Sequence, residues 1–173
     1  NYQLSPLPTI FEEQCGNTPN TLALIYQNNK YTYKQLNIAS NSLANFLKRE
    51  YAIQPDILIS LFLERDENLI ISLLATLKSG GAYLPIDPSY PDERIAYILE
   101  DSQSKIILTN DKNKLRLEQL IHSMSLKKQK FSKINVIAID HPEFISKISN
   151  EPIDNPINNL IISNLAYVIY TSG

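Results

Sequence analysis

The sequence has very little that could build a disulfide or a metal centre. Cys15 is the only cysteine among 173 residues, which excludes an internal disulfide and a thiolate metal site and is typical of cytoplasmic proteins. The two histidines, His122 and His141, belong to no cluster with ligand spacing, which argues against zinc. We therefore predict no metal-ligating residues and a cytoplasmic location.

Charge of one sign and long apolar runs are also scarce. The net charge of -2 gives no basic field for nucleic acid or an anionic membrane. The longest apolar run, residues 57–63, is far shorter than the roughly 18 to 20 residues that span a bilayer. Residues 1–6 lack the basic and apolar parts of a signal peptide. We expect neither a nucleic-acid-binding nor a membrane protein.

What is present is an alternation of short β-rich runs with helical patterns. This alternation predicts one α/β domain, a largely parallel sheet flanked by helices. The run at 57–63 is apolar almost throughout, as in a strand covered on both faces. Strands are predicted over residues 21–26, 30–32, 57–63, 83–86, 105–109, 134–139 and 165–170, and helices over 9–15, 32–47, 68–78, 89–99, 111–130 and 143–148.

Local signals predict where several helices begin and end. Thr32 is expected to cap a helix, with Gln35 completing a capping box. Gly80 is expected to end a helix in the left-handed conformation. Ser89 is a candidate cap for the helix that follows. Residues 141–164, rich in Pro and Asn, are predicted to be a long surface excursion, and the abundance of Asn is interpreted as composition bias.

The segment with the clearest chemical meaning is the end of the chain. A predicted strand at 165–170 runs into Thr171, Ser172 and Gly173. Ligands of open α/β sheets bind at the carboxyl ends of the strands, and a glycine-rich turn lets backbone N–H groups converge on phosphate oxygens. The tripeptide alone would be an ordinary turn. After this strand, it predicts that Thr171, Ser172 and Gly173 contact phosphate.

Three segments resemble motifs of the adenylate-forming enzymes, and of their amino-acid-activating branch in particular. Residues 31–37 (YTYKQLN) are similar to the family's LTYxELN. Residues 77–94 (LKSGGAYLPIDPSYPDER) resemble the branch signature almost letter for letter, with Ser79 in place of the usual alanine. Residues 165–173 (LAYVIYTSG) are similar to the strand and opening of the glycine-rich phosphate-binding loop.

The resemblance implies the N-terminal portion of a nonribosomal peptide synthetase adenylation domain. Residues 1–173 would belong to the large N-terminal subdomain and stop inside the phosphate-binding loop. The parent enzyme would use ATP with Mg²⁺ to form an aminoacyl adenylate and pass it to a phosphopantetheine thiol on a carrier protein, beside condensation domains. No catalytic residue is expected within this chain, and the chain alone should not adenylate.

Other candidates have a structural explanation beside the functional one. In the second motif, Lys78 and Tyr83 are the residues to test for contact with the site, although glycine and proline there indicate a scaffold. Residues 64–67 (ERDE) follow a buried strand, but they are also typical of an ordinary charged helix start. Cys15 is expected to be a packed residue rather than a nucleophile.

Two other classes of function remain open at this point. One is a related ligase, such as an acyl-CoA synthetase, whose acceptor is free coenzyme A. The other is a non-catalytic α/β interaction module that kept the scaffold without the loop. Because a parallel sheet cut partway exposes a strand edge or an apolar face, we also expect self-association, or a second chain carrying the remainder.

Overall fold

The computed structural model describes residues 4–127, 131 and 133–171. Helices and strands alternate along the described residues. The helices are α1 (Leu7–Asn17), α2 (Tyr33–Tyr51), α3 (Glu67–Ser79), α4 (Asp92–Ser102), α5 (Asp111–Lys127) and α6 (Pro142–Ile148). The strands are β1 (Leu22–Tyr26), β2 (Asn29–Thr32), β3 (Leu58–Phe62), β4 (Ala82–Pro85), β5 (Ile106–Thr109) and β6 (Asn135–Ala138).

The main sheet is parallel and has the order β4-β3-β5-β6. The chain leaves β3 toward β4 on one side and then returns past β3 to β5 on the other. Neighbouring connections therefore diverge around β3, which is the kind of position where α/β sheets form a ligand crevice. β1 and β2 form a separate antiparallel hairpin. The predicted α/β class with a largely parallel sheet is confirmed.

Alternate residues of the strands serve two cores. Ile59 and Leu61 of β3 face a core shared with α2, α3 and α6, whereas Phe62 faces a core shared with α4 and α5. All three side chains are almost fully buried, as the apolar run at 57–63 predicts. Helices thus cover both faces of the sheet. No helix of the described residues is long and apolar enough to cross a membrane.

The local signals at α2 and α3 act as predicted, but Ser89 does not. The Gln35 amide donates to Thr32 Oγ1, and the Gln35 side chain accepts from the Thr32 amide, which completes the capping box. Gly80 ends α3 with φ of 99°. The Ser89 amide instead donates to Asp87 Oδ1 at 2.8 Å, and α4 begins only after Pro91, so the predicted cap is wrong.

Residues 151–158 are bound to α2 by a row of asparagines. Asn37, Asn41 and Asn45, spaced four residues apart on one helix face, donate to side-chain and backbone oxygens of this segment at 2.7–3.1 Å. The Arg49 guanidinium pairs with Glu151 at 2.5 Å. The predicted surface excursion at 141–164 is exposed over most of its length, and these contacts join residues 151–158 of it to α2. The three asparagines therefore have a structural role that composition bias does not describe.

Candidate functional site

The segment at 165–171 extends the sheet beyond β4. The Tyr83 amide donates to the Ala166 carbonyl at 3.1 Å, and the Val168 amide donates to the Tyr83 carbonyl at 3.0 Å. The pairing is parallel, with Tyr83 opposite Tyr167. The predicted strand at 165–170 is thus observed as a parallel bridge of these two bonds. Its direction puts the end of the segment at the carboxyl ends of β3 and β4.

A cleft of about 610 Å³ lies at these carboxyl ends. Its walls come from β3, β4, the 165–171 segment and the start of α5, which meet where the connections diverge around β3. The residues that line it are Leu61, Leu63, Glu64, Arg65, Leu69, Pro85, Ile86, Asp87, Pro88, Ser89, Tyr90, Asn113, Ile169 and Tyr170. The chain therefore leads past the cleft as it enters Thr171.

Helix α4 holds the last residues of the segment. The Tyr170 hydroxyl donates to Asp101 Oδ2 at 2.6 Å, and the Tyr170 ring packs edge-on against Tyr97, with centroids 6.3 Å apart. Arg94 donates from Nη2 to the Thr171 carbonyl at 3.1 Å, and its guanidinium lies 5.9 Å from the Tyr97 ring centroid. Desolvation, followed by the hydrogen bond to Asp101, raises the pKa of Tyr170 to about 12.

Of the three predicted phosphate contacts, the structure describes only Thr171. It is exposed and follows the two cleft-lining residues Ile169 and Tyr170. Ser172 and Gly173 lie outside the described residues. Phosphate contact by these three residues stays a prediction.

The charged residues 64–67 divide between the cleft and the start of α3. Asp66 caps α3 by accepting from the Leu69 amide at 3.1 Å, as an ordinary helix start requires. Glu64 and Arg65 line the cleft, and Glu64 forms an ion pair with Lys112 of α5. Hydrogen bonds from Ser89, with a smaller contribution from the Arg65 charge, lower the pKa of Asp87.

Lys78 lies away from the cleft. It sits in the last turn of α3, just before β4 begins, which is the opposite edge of the sheet from the carboxyl ends. Its ammonium is fully buried and donates to Glu12 at 2.7 Å and to Asn37 at 2.8 Å. Burial lowers the pKa of Lys78, against the opposing effect of Glu12. Lys78 therefore joins α1, α2 and α3.

The contacts of Tyr83 and Cys15 also indicate structural roles. The Tyr83 ring lies against Tyr167, with centroids 5.5 Å apart, and so supports the 165–171 segment from β4. Cys15 is buried, with its thiol donating to the Tyr33 carbonyl at 3.6 Å, and burial raises its pKa. A raised pKa disfavours the reactive thiolate, which agrees with the packing role expected from the sequence.

Sequence reasoning missed the contribution of α4. In the sequence Arg94 is only the last letter of the second motif, and Tyr97 and Asp101 are not singled out. A signal was present: the three residues follow at helical spacing, beside the apolar positions Ile95 and Leu99. What the spacing could not supply was the partner, which lies about 70 residues later in the chain.

Comparison with known proteins places these features in a wider set. A model of the AMP-binding enzyme family matches residues 11–173. The chain is 38% identical over 165 residues to tyrocidine synthase 2 of Brevibacillus parabrevis, covering 95% of this chain and 4% of that protein. It is also 38% identical over 165 residues to zwittermicin A synthase ZmaJ of Bacillus cereus, covering 95% of this chain and 28% of that protein.

Solved structures share the fold. The nonribosomal peptide synthetase FmoA3 superposes with a TM-score of 0.78 at 25% identity, covering 97% of this chain and 16% of that one. The inhibitor-bound N-terminal domain of FACL13 from Mycobacterium tuberculosis superposes with a TM-score of 0.82 at 17% identity, covering 98% of this chain and 42% of that one. The chain thus spans a minor part of each of these proteins.

Proposed function

The chain belongs to the family of AMP-binding enzymes, and from this membership we propose that it forms part of an amino-acid-activating enzyme of nonribosomal peptide synthesis. In this proposal, residues 1–173 are the N-terminal portion of an adenylation domain and end inside its phosphate-binding loop. The enzyme makes an aminoacyl adenylate and transfers the aminoacyl group to a phosphopantetheine thiol of a carrier protein.

One observation carries the proposal. Tyr170 and Thr171 leave a parallel strand at the carboxyl ends of β3 and β4, beside a cleft where the connections of the sheet diverge. That position is where nucleotide phosphates bind in α/β folds, because loop N–H groups there face the ligand. Thr171, Ser172 and Gly173 are proposed to begin the loop that holds the β and γ phosphates.

The chemistry would require positioning and charge neutralisation rather than a nucleophilic side chain. A substrate carboxylate attacks the α-phosphorus of ATP, forming the mixed anhydride and releasing pyrophosphate. The carrier thiol, losing its proton, then attacks the acyl carbon, forming a thioester and releasing AMP. A form of FmoA3 with bound AMPPNP, 25% identical to this chain, supports ATP as the nucleotide.

Magnesium is proposed to arrive with the nucleotide. Over the described ranges no group of three or more His, Cys, Asp and Glu side chains could hold a metal ion. Mg²⁺ commonly binds through one or two carboxylates together with substrate phosphates, so the described side chains alone do not need to form a site. We assign no metal ligand within this chain.

The proposed partners are an amino acid, a carrier protein and condensation domains, in the cytoplasm. The length of tyrocidine synthase 2, of which this chain covers only 4%, supports such a multidomain setting.

Self-association of this chain is proposed as well. Leu165, Tyr167 and Ile169 alternate along the segment that extends the sheet beyond β4 and are 46–57% exposed, and a second copy packed on this segment would cover them. A clean monomer at micromolar concentration by size-exclusion chromatography would oppose it.

The fold alone does not decide against the alternative of an acyl-CoA synthetase. Residues 82–88 (AYLPIDP) and the two synthase relatives at 38% identity favour the amino-acid branch. A non-catalytic module is opposed by the intact entry into the loop, and it predicts that the gene does not continue with a Ser/Thr-Thr-Gly-x-Pro-Lys-Gly pattern after Gly173.

The test is the exchange of labelled pyrophosphate into ATP by the gene product that carries this chain, with the proteinogenic amino acids as a pool. We expect exchange that depends on an amino acid, and none from the 173 residues alone. Ser172→Ala and Thr171→Ala should lower kcat/KM for ATP by roughly tenfold to a hundredfold. Ser163→Ala, which removes an exposed hydroxyl from the preceding turn, serves as the control. Exchange that is the same in all variants, or strong in the 173 residues, contradicts the proposal.

A further inference from the structure

We propose that one face of α4, formed by Arg94, Tyr97 and Asp101, is a positioning element that sets the course of the backbone at Tyr170 and Thr171 and thereby the entry of the phosphate-binding loop. The inference rests on the proposed function, because it concerns the same loop. It adds residues that contact the loop entry and to which the proposed function assigns no other role. We call these three residues the α4 contact face.

The α4 contact face has a rigid support. The adjoining side of α4 is fully buried through Ile95, Ile98 and Leu99. The start of the helix is fixed by Arg116 of α5, which donates to Asp92 Oδ1 at 2.7 and 3.0 Å and to carbonyls of the β4–α4 connection at 2.7 and 2.8 Å. Well-packed elements hold functional groups more accurately than loops do.

The α4 contact face contacts the part of the 165–171 segment that lies beyond its hydrogen bonds to β4. Two backbone bonds join Ala166 and Val168 to β4, and the next polar contacts toward the C-terminus are both with α4. They are the bond from the Tyr170 hydroxyl to Asp101 and the bond from Arg94 to the Thr171 carbonyl. The position of the chain at the cleft is therefore determined jointly by β4 and α4.

Arg94 has a particular consequence for the loop. A peptide unit is planar, so a hydrogen bond to its carbonyl restricts the rotation of the whole unit. By donating to the Thr171 carbonyl, Arg94 restricts the peptide unit through which the chain leaves Thr171. Tyr97 holds the guanidinium in place through its ring, at 5.9 Å. In the proposed function the loop that begins at Thr171 supplies N–H donors to phosphate oxygens.

The experiment compares Arg94→Gln, Arg94→Lys and Tyr170→Phe with Glu93→Gln in the gene product that carries this chain. Glu93 is an exposed carboxylate of the same helix outside the contact face, so its variant controls for replacing a charged side chain of α4 by glutamine. Pyrophosphate exchange is measured against ATP and against the amino acid. Amide hydrogen exchange is followed by mass spectrometry over peptides that contain residues 165–171.

A single lost hydrogen bond corresponds to roughly threefold to tenfold. We therefore expect Arg94→Gln to lower kcat/KM for ATP by that factor and leave the KM of the amino acid unchanged, with partial recovery in Arg94→Lys. Amides near Thr171 should exchange faster in Arg94→Gln and Tyr170→Phe by a similar factor. Glu93→Gln should resemble the parent protein in both measurements.

The outcomes separate the two proposals. If the parent protein shows no pyrophosphate exchange, the proposed function fails, and the α4 inference is then decided by amide exchange alone. Unchanged amide exchange near Thr171 in both variants overturns the inference. So does an activity loss that affects ATP and the amino acid equally, or that follows a lowered melting temperature, because a merely structural role would produce it.

Discussion

Replacing Lys78 by Met should destabilise the chain strongly without affecting nucleotide chemistry. Lys78 is fully buried at the edge of the sheet opposite the cleft. Its ammonium donates to Glu12 at 2.7 Å and to Asn37 at 2.8 Å, and lies 5.5 Å from the Phe11 ring centroid. Methionine keeps the length of the side chain and removes its charge, so the substitution tests the polar contacts rather than the packing.

The magnitude follows from what the substitution leaves behind. Breaking a fully buried ion pair costs about 3–5 kcal/mol, because the remaining partner is a buried charge without an ion-pair partner or hydration. The Glu12 side chain is 21% exposed and can regain some water. Burying the ammonium costs free energy in the parent chain. The substitution removes this cost, which offsets a further part of the lost stability. We therefore expect a loss of about 2–3 kcal/mol in the free energy of unfolding, below the range for a fully buried pair.

The assay is urea denaturation of the 173-residue chain at pH 7. Lys34→Met makes the same chemical change on an exposed side chain and should stay within about 0.5 kcal/mol of the parent. Glu12→Gln and the double variant complete a mutant cycle, in which the double variant should lose less than the sum of the single losses. In the longer gene product, KM for ATP should not change in Lys78→Met.

The pH dependence has a definite sign. Burial lowers the pKa of Lys78 below its ordinary 10.5, so the folded state releases the proton first. Between the lowered pKa and 10.5 the unfolded state binds more protons, and this group makes the chain more stable as pH rises. Lys78→Met should lack that contribution. A stability loss under about 0.5 kcal/mol, or a raised KM for ATP, would refute the structural role assigned to Lys78.

Three further substitutions test other parts of the fold by the same urea assay. Thr32→Ala removes the capping side chain of α2 and should cost about 1 kcal/mol, whereas Thr32→Ser should cost less. Gly81→Ala would place a Cβ 3.0 Å from the Ile57 carbonyl oxygen, so the backbone must shift and we expect a loss of about 1–3 kcal/mol; an unchanged midpoint would contradict the close approach. Asn41→Leu removes the bonds that a fully buried amide donates to residues 151–158, at a cost of about 1–3 kcal/mol, and should raise proteolysis of that segment.

The features that the sequence predicted correctly are those with a local cause. The capping box of Thr32 and Gln35 needs only four consecutive residues, and the left-handed end of α3 needs only Gly80. The buried strand at 57–63 is apparent from its composition alone. The family resemblance, which depends on short motifs in order, is confirmed by the family match over residues 11–173.

The sequence missed one local feature and several that depend on partners distant in sequence. Ser89 is a good cap by residue type, but α4 begins only after Pro91, and the Ser89 amide donates to the neighbouring Asp87 carboxylate. The asparagines of α2 look like ordinary exposed polar residues until a segment more than 100 residues later docks on them. The α4 contact face was missed for the same reason. The periodicity of α4 shows which of its residues share a face, but it does not identify Tyr170 as the residue that they contact.

The docking of residues 151–158 on α2 has a consequence for how the chain is made. Its hydrogen bonds join positions 107–118 residues apart, so the ribosome delivers one partner well after the other. At a synthesis rate of about 5–20 residues per second, the polar side of α2 stays exposed to water for several seconds before residues 151–158 cover it. Asparagine suits that interval, because an amide tolerates solvation and does not attract wrong apolar partners.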